Sequence, residues 1–109
     1  MSLAPAALLT ARLSALRARL GAVDLTALLV TRAANIFYLS NFRGSAGALL
    51  VSPMGEALIV DARYTTAARR LCETGAAPEE MTVIPVGSSY EETMCTTLRR
   101  SGLARAGIE

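Results

Sequence analysis

The stretch that decides the fold runs from Asn35 to Val51 and reads NIFYLSNFRGSAGALLV. It places aromatic side chains, an arginine and two glycines in a segment too irregular for a single helix or strand, and it leads directly into an apolar run. A second apolar run, from Leu58 to Tyr64, reads LIVDARY and breaks at an acidic residue. This order predicts a glycine-bearing loop that turns sharply into a β-hairpin.

Together these motifs resemble the N-terminal domain of the creatinase/prolidase/aminopeptidase P family, metallopeptidases that cut before or after proline. In that family a Tyr-Leu-small-(Gly or Asn)-Phe-x-Gly-Ser-x-Gly segment precedes a hairpin that ends in Asp-x-Arg-Tyr. The resemblance covers the chain from about Leu13 to Glu109. Asn41 departs from the glycine of many relatives, but asparagine tolerates the left-handed backbone that such a turn requires.

The resemblance implies that residues 1–109 form a single creatinase/prolidase N-terminal-type domain of a longer protein. The family's metal ligands and catalytic histidines lie in a C-terminal domain that this chain does not reach. The expected function is therefore non-catalytic, namely shaping substrate access and building subunit contacts in an Xaa-Pro metallopeptidase (a prolidase or aminopeptidase P). Whether the parent is an active enzyme stays open, but the chain alone is predicted to be inactive, with no catalytic residue and no metal ligand.

The implied partners are the protein's own C-terminal catalytic domain, a second copy in a homodimer, and proline-containing peptides. The implied cofactor of the parent is a dinuclear site of manganese, cobalt or zinc, and the implied location is the cytoplasm. Two alternatives stay open. The chain could be a binding module from a catalytically inactive peptidase-like protein, as in a histone-chaperone subunit, or the N-terminal domain of a creatinase-type hydrolase.

Composition narrows the function further. The chain has 109 residues, of which 52% are hydrophobic and 18% charged. This is enough apolar material for one core, but no run reaches the roughly 18 residues of a membrane span. All 11 basic residues are arginine and there is no histidine, which excludes Ser-His-Asp and Cys-His catalysis. The net charge is only +2 and the arginines are scattered, so neither nucleic acid nor membrane is an expected partner.

The N-terminal 23 residues contain arginine, serine and threonine but no acid, as in a mitochondrial transit peptide. A structural amphipathic helix is the favoured interpretation, because leucines recur at helical spacing and the arginines lie off that stripe. The two cysteines, Cys72 and Cys95, form no Cys-x-x-Cys motif, and reduced, packed thiols are expected.

Apolar periodicity and turn residues predict the order helix, strand, short helix, hairpin, helix, strand, helix, strand. The helices are expected over residues 5–20, 31–39, 62–73 and from 88 to about 101, and the strands over residues 25–30, 48–51, 57–60, 81–86 and 105–108. Gly21 is expected to end the first helix, Thr31 to cap the second, Asp61 the third and Ser88-Ser89 the fourth. The predicted fold is an α/β structure with a mixed sheet of about five strands, helices on its faces and ribonuclease H-like layering.

Six residues are candidates for substrate binding: Tyr38, Phe42, Arg43, Asp61, Arg63 and Tyr64. An arginine suits a carboxylate and aromatic faces suit a proline ring, so the loop could project towards a substrate cleft. In the family that the chain resembles, N-terminal-domain residues can approach an active site of the same or a neighbouring subunit. The alternative is structural: Tyr38 and Phe42 pack under the loop, Arg43 is solvated, and Arg63 pairs with a nearby acid.

The segment Gly44-Ser45-Ala46-Gly47 looks superficially like a phosphate-binding loop. Such loops lead from a strand into the N-terminus of a helix, whereas this one leads into a strand. Ser45 has no histidine or lysine to act as its base and is not a credible nucleophile.

Overall fold

A computed structural model describes residues 2–102 and 105–109 and shows a five-stranded sheet with helices on both faces. The elements follow the predicted order: α1 Ala6–Ala22, β1 Ala27–Val30, α2 Ala33–Ser40, β2 Ala48–Ser52, β3 Gly55–Val60, α3 Thr65–Glu73, β4 Met81–Pro85, α4 Tyr90–Arg100 and β5 Ala106–Ile108. The prediction of an α/β fold with a mixed sheet is confirmed.

The strands lie in the order β4-β3-β2-β1-β5. The three central strands are antiparallel neighbours, and both outer strands pair in parallel, β4 with β3 and β5 with β1. The parallel pairs arise because α3 and α4 each return the chain to the start of the sheet before the next strand begins. The predicted hairpin therefore forms the middle of the sheet.

An apolar layer covers each face of the sheet, and successive side chains of β3 point alternately into the two layers. Leu58 and Val60 point into the layer under α1, α2 and α3, whereas Ile59 points into the layer under α4. In α1 the predicted leucine stripe is buried at Leu9, Leu13 and Leu20. The amphipathic-helix interpretation of the N-terminus agrees with this packing. None of the helices within residues 2–102 and 105–109 combines the length and apolar character needed to cross a membrane.

The turn that ends α2 and the turn inside the hairpin both use residues that tolerate positive φ. Asn41 ends α2 at a φ of 67°, as its glycine-like position predicted. Gly55 begins β3 at a φ of 126°, and a Cβ there would lie 2.5 Å from the carbonyl oxygen of Glu80. The hairpin is tighter than predicted, because only Pro53 and Met54 separate the two strands.

Glu56, predicted to lie in the hairpin connection, is a residue of β3 and is buried. Its side chain is 2% exposed and forms a salt bridge with Arg17 of α1 through Arg17 Nη2 and Glu56 Oε2. Arg17 Nε also donates to the carbonyl oxygen of Ser52, at 3.0 Å. Within the part of the chain that the structure describes, Glu56 Oε1 has no hydrogen-bond partner. The stability of this buried carboxylate therefore depends on Arg17.

Thr31 does not cap α2. The helix begins at Ala33, and Arg32 is in the N-cap position but makes no capping hydrogen bond with its side chain. The carboxylate of Glu109, just after β5, takes this role by accepting from the backbone amides of Thr31 and Arg32, at 3.2 and 2.9 Å, and from the side-chain amide of Asn35. Burial alone raises the pKa of Glu109, but these hydrogen bonds outweigh it and lower the pKa. β5 thus fixes the start of α2.

Two other boundary predictions were wrong and one was confirmed, and one of the two cysteines is not packed as expected. Gly21 lies within α1, which continues to Ala22. Asp61 does not cap α3, because that helix begins four residues later at Thr65. Cys95 is exposed rather than packed, whereas burial raises the pKa of the Cys72 thiol. Ser89 caps α4 by accepting from the backbone amide of Glu92, at 3.1 Å, as the capping pattern predicted.

Candidate functional site

Five of the six candidate residues fall into two groups on either side of the loop that follows α2. Tyr38 and Arg43 line a groove between α1 and α2, while Asp61, Arg63 and Tyr64 form a polar cluster where β3 ends. Phe42 lies beneath the loop, between the two groups, and is 2% exposed. The structure therefore places five of the six at least partly at the surface.

Phe42 packs as the structural interpretation predicted. Its ring meets that of Tyr64 edge to face, with centroids 5.7 Å apart and an interplanar angle of 85°. A Cβ on Gly44 would come within 2.8 Å of the Phe42 ring, so glycine allows the loop to lie directly on this aromatic ring. The contribution of Phe42 is to hold the loop in place rather than to meet a ligand.

Tyr38 departs from the packing interpretation, since it is 52% exposed. The guanidinium carbon of Arg12 lies 3.9 Å from the centroid of its ring, and Arg12 Nη1 donates to the carbonyl oxygen of Tyr38, at 2.7 Å. Arg43 is exposed, with its guanidinium carbon 4.8 Å from the ring centroid of Phe37. Each of these two adjacent aromatic rings of α2 therefore contacts an arginine from another segment.

We call the second group the Asp61 cluster: Asp61, Arg63, Tyr64, Ser45 and Tyr90. Arg63 binds Asp61 with two parallel hydrogen bonds, Nε to Oδ1 at 3.0 Å and Nη2 to Oδ2 at 2.9 Å. The hydroxyl of Tyr90, at the start of α4, donates to Asp61 Oδ2 at 2.7 Å. The predicted pairing of Arg63 with an acid is confirmed, and the pair links the end of β3 to α4.

The hydrogen bonds of the cluster shift the pKa values of Asp61, Tyr90 and Tyr64. Hydrogen bonds from Arg63 and then from Tyr90 hold the pKa of Asp61 far below its ordinary value. Burial, reinforced by the bond to Asp61, raises the pKa of Tyr90. The hydroxyl of Tyr64 lies 2.5 Å from Ser45 Oγ, and this hydrogen bond lowers the pKa of Tyr64. Asp61 is consequently a bound, ionised carboxylate, which suits a structural link and not a general base.

Replacing Asp61 with asparagine should lower the melting temperature, because the amide loses the charge that Arg63 and Tyr90 bind. The folded-state pKa of Asp61 lies below its unfolded value of about 4. The stabilisation is therefore present above that pH and is lost as the pH falls towards the folded-state pKa. Thermal unfolding of the wild type and of Asp61→Asn should be measured between pH 7 and acidic pH. The difference between their melting temperatures should be constant near neutrality and should become smaller below about pH 4. A melting-temperature difference that is the same at every pH would contradict the stabilising role of the ionised Asp61 carboxylate.

The two groups are joined by consecutive loop residues. Arg43 and Gly44 line the groove, whereas Ser45 belongs to the Asp61 cluster and its backbone amide donates to the hydroxyl of Tyr64, at 3.2 Å. Sequence reasoning missed Arg12, Phe37 and Tyr90 as members of these groups. The ring of Tyr90 packs among the apolar side chains under α4, and its hydroxyl reaches Asp61.

Comparison with known proteins assigns the fold. A sequence model of the Creatinase/Prolidase N-terminal domain matches residues 12–109. The chain belongs to this family. The resemblance stated from the two motifs is confirmed, and it extends to the five-stranded mixed sheet with its helices.

Relatives of this creatinase/prolidase N-terminal domain include peptidases. The uncharacterized peptidase YqhT of Bacillus subtilis is 31% identical over 98 residues, which cover 90% of this chain and 26% of that protein. The N-terminal domain of the cytoplasmic peptidase PepQ from Mycobacterium tuberculosis is 32% identical, with a TM-score of 0.75, over 91% of this chain and 72% of that one. An Xaa-Pro dipeptidase from Bacillus anthracis shares the fold at 20% identity, with a TM-score of 0.80, over 93% of this chain and 27% of that one.

The chain thus spans about a quarter of the length of the Bacillus subtilis relative. It is a creatinase N-terminal domain like those of Xaa-Pro peptidases. Across residues 2–102 and 105–109, no three histidine, cysteine, aspartate or glutamate side chains come together as a group that could hold a metal ion. These described residues therefore do not supply the ligand set of a dinuclear metal site.

Proposed function

We propose that this chain is the non-catalytic N-terminal domain of an Xaa-Pro metallopeptidase, either a prolidase or an aminopeptidase P, in which it shapes substrate access and builds subunit contacts. The family match over residues 12–109 carries this proposal, together with a peptidase relative of which the matched residues cover only 26%. The metal site, of manganese, cobalt or zinc, would belong to a C-terminal catalytic domain that acts as the partner of this one.

The surface for this function is the loop from Tyr38 to Ser45 with its two groups of side chains. In the proposed enzyme Tyr38 and Arg43 face a proline-containing peptide, and Arg43 binds a carboxylate or carbonyl oxygen of it. Asp61, Arg63 and Tyr64 hold the other side of the loop, and Arg63 adds a second exposed cation. Phe42 supports the loop from below. The proposed assembly is a cytoplasmic homodimer, in which the loop approaches an active site of its own or the neighbouring subunit.

Hydrolysis assays on two proteins test the proposal: residues 1–109 and the full-length gene product. Loaded with Mn²⁺, the full-length protein should cleave Xaa-Pro dipeptides if it is a prolidase, or longer peptides before proline if it is an aminopeptidase P. Residues 1–109 should cleave neither and should retain no stoichiometric metal after dialysis, because the part of the chain that the structure describes holds no cluster of ligands.

The alternatives give different results in the same assay. Creatine hydrolysis by the full-length protein would identify a creatinase-type enzyme. A folded, metal-free full-length protein with no hydrolase activity would identify a binding module. Cleavage of an Xaa-Pro peptide by residues 1–109 alone would contradict the proposed non-catalytic role.

A further inference from the structure

A cleft opens between α1 and the turn of the hairpin. Its volume is about 340 Å³, and its walls are the side of α1 around Ser14 and Arg17, the hairpin turn with Met54, and residues 78–80, which lead into β4. We call this surface the α1–hairpin cleft. β3 begins at the cleft and ends beside the Asp61 cluster. The cleft therefore lies at the opposite end of this strand from that cluster, away from the loop proposed to meet substrate.

The α1–hairpin cleft has an excess of acidic residues. Glu56, Glu79 and Glu80 line it, together with Arg17. Glu79 and Glu80 are exposed, and among the residues that the structure describes neither takes part in a salt bridge or a side-chain hydrogen bond. Carboxylates that share one concave surface raise the local concentration of cations. The rim of the cleft therefore favours a positively charged ligand.

Glu56 provides a second observation that does not depend on the rim. Its side chain is 2% exposed, and Arg17 binds it through Oε2. The other carboxylate oxygen, Oε1, is buried and accepts no hydrogen bond from the described part of the chain. The pairing with Arg17 of α1 places this carboxylate on the α1 side of the sheet, where the cleft opens. Since a buried acceptor without a donor costs free energy, Oε1 favours a donor that enters from outside.

The backbone holds the rim and the buried carboxylate in a fixed relation. The amide of Glu56 donates to the carbonyl oxygen of Glu80, at 3.2 Å. Gly55 permits this approach, because a Cβ there would lie 2.5 Å from the same oxygen. Met54 is 80% exposed, and an exposed methionine side chain changes rotamer at little cost. The acids are thus pre-organised, while the rim can open at Met54 to admit a side chain.

We propose that the α1–hairpin cleft is a docking site for a lysine side chain of a partner polypeptide. The ammonium donates to Glu56 Oε1, and Glu79 and Glu80 balance its charge. Lysine suits the site better than arginine, because Arg17 already binds Oε2 and a guanidinium fork binds a carboxylate best through both oxygens. The aliphatic stem of the lysine lies along Met54, at the rim of the cleft.

The sequence restricts the identity of the partner. All 11 basic residues of the chain are arginine, so a second copy of residues 1–109 has no lysine to supply. An acidic segment would place like charges against Glu79 and Glu80. The partner is therefore a basic segment from outside residues 1–109. This inference goes beyond the proposed function and does not depend on it, because the cleft lies away from the loop that would meet substrate.

Titration of residues 1–109 with capped peptides, followed by amide chemical shifts, tests the docking site. The probe is an N-acetylated, C-amidated alanine peptide with one central lysine. Saturable shifts are expected at residues of the cleft, such as Ser14, Met54 and Glu80. The matched peptide with norleucine keeps the aliphatic stem but lacks the ammonium, and it should bind at least about tenfold more weakly. The matched arginine peptide should also bind more weakly than the lysine peptide.

Variants of the acids provide the sharper comparison. Glu56→Gln lets an amide oxygen accept from Arg17 but turns an amide nitrogen towards the ammonium, so affinity for the lysine peptide should fall by at least about tenfold. Because this change touches a buried pair, a second variant combines Glu79→Gln with Glu80→Gln at the exposed rim and should bind about threefold to tenfold more weakly. Glu91→Gln, on the exposed start of α4, is the matched control and should keep wild-type affinity. The dispersion of the same spectra reports whether each variant is folded.

The docking site is wrong if no saturable shift appears in the cleft, if the lysine and norleucine peptides bind equally, or if the rim variant binds the lysine peptide with wild-type affinity. Concentration-dependent shifts at the cleft without peptide would assign it to an arginine of a second copy and would also overturn the proposal. So would a crystal structure of the complex in which a water molecule, and not the ammonium, binds Glu56 Oε1. The experiment involves no catalysis, so its failure and that of the hydrolysis assays are independent.

Discussion

Arg17→Ala is expected to lower the free energy of unfolding by about 3 kcal/mol, the largest effect on stability predicted here. Glu56 is almost fully buried on β3, and Arg17 is the cation that pairs with it. Truncating Arg17 leaves a carboxylate away from water with no opposite charge. For a single domain with a stability of about 5–15 kcal/mol, this is a large fraction of the total.

Urea unfolding of the wild type and three variants measures this effect. Arg19→Ala, an exposed arginine in the last turn of the same helix, is the matched control and should change stability by less than about 0.5 kcal/mol. Arg17→Met combined with Glu56→Leu should recover most of the loss, since an apolar pair removes the buried charge. A loss below about 1 kcal/mol for Arg17→Ala would show that the pair behaves like a surface salt bridge.

If the full-length protein is the proposed peptidase, Arg43→Ala in it is expected to lower kcat/KM for Xaa-Pro peptides by about tenfold to a hundredfold. This range corresponds to the roughly 1.5–3 kcal/mol of a hydrogen bond to a charged group. A residue that positions the substrate away from the metals affects orientation rather than bond chemistry. Metal content and thermal stability should therefore stay at the wild-type level.

Steady-state kinetics on a series of short proline peptides, with metal analysis of each sample, provides the measurement. Arg69→Ala on the exposed surface of α3 is the control and should retain wild-type kinetics. If Arg43→Ala also has wild-type kcat/KM for every peptide, Arg43 does not contact substrate. Its contact with the Phe37 ring would then be a structural contact at the surface of this domain.

Most of the sheet could be predicted because its signals are local. The hairpin consists of two apolar runs joined by a segment with a proline and a glycine, and the alternation of helices and strands after it implies parallel outer pairs. The capping pattern at Ser89 and the left-handed turn at Asn41 also depend only on neighbouring residues. Features of this kind are encoded within a few positions of the chain.

The features that were missed depend on contacts between distant segments. The sequence indicates only that Arg17 lies off the leucine stripe of α1, since nothing near it points to the buried acid 39 residues away. Asp61 was expected to cap the helix that follows, a reasonable local use of an acid, but Arg63 and Tyr90 bind it instead. Likewise, periodicity assigns the ring of Tyr90 to a helix face and carries no information on the partner of its hydroxyl.

The bond between Glu109 and the start of α2 also bears on the order in which the domain is made. The hairpin of β2 and β3 joins neighbouring residues, so it can form soon after it is synthesised. The acceptor of the Arg32 amide lies 77 residues further along the chain, so this bond forms only after Glu109 has been synthesised. The pairing of β1 with β5 likewise requires the end of this sequence. During translation α2 therefore leaves the ribosome well before its N-terminus can be fixed. We therefore expect the start of α2 to be among the last parts of the domain to reach its final position.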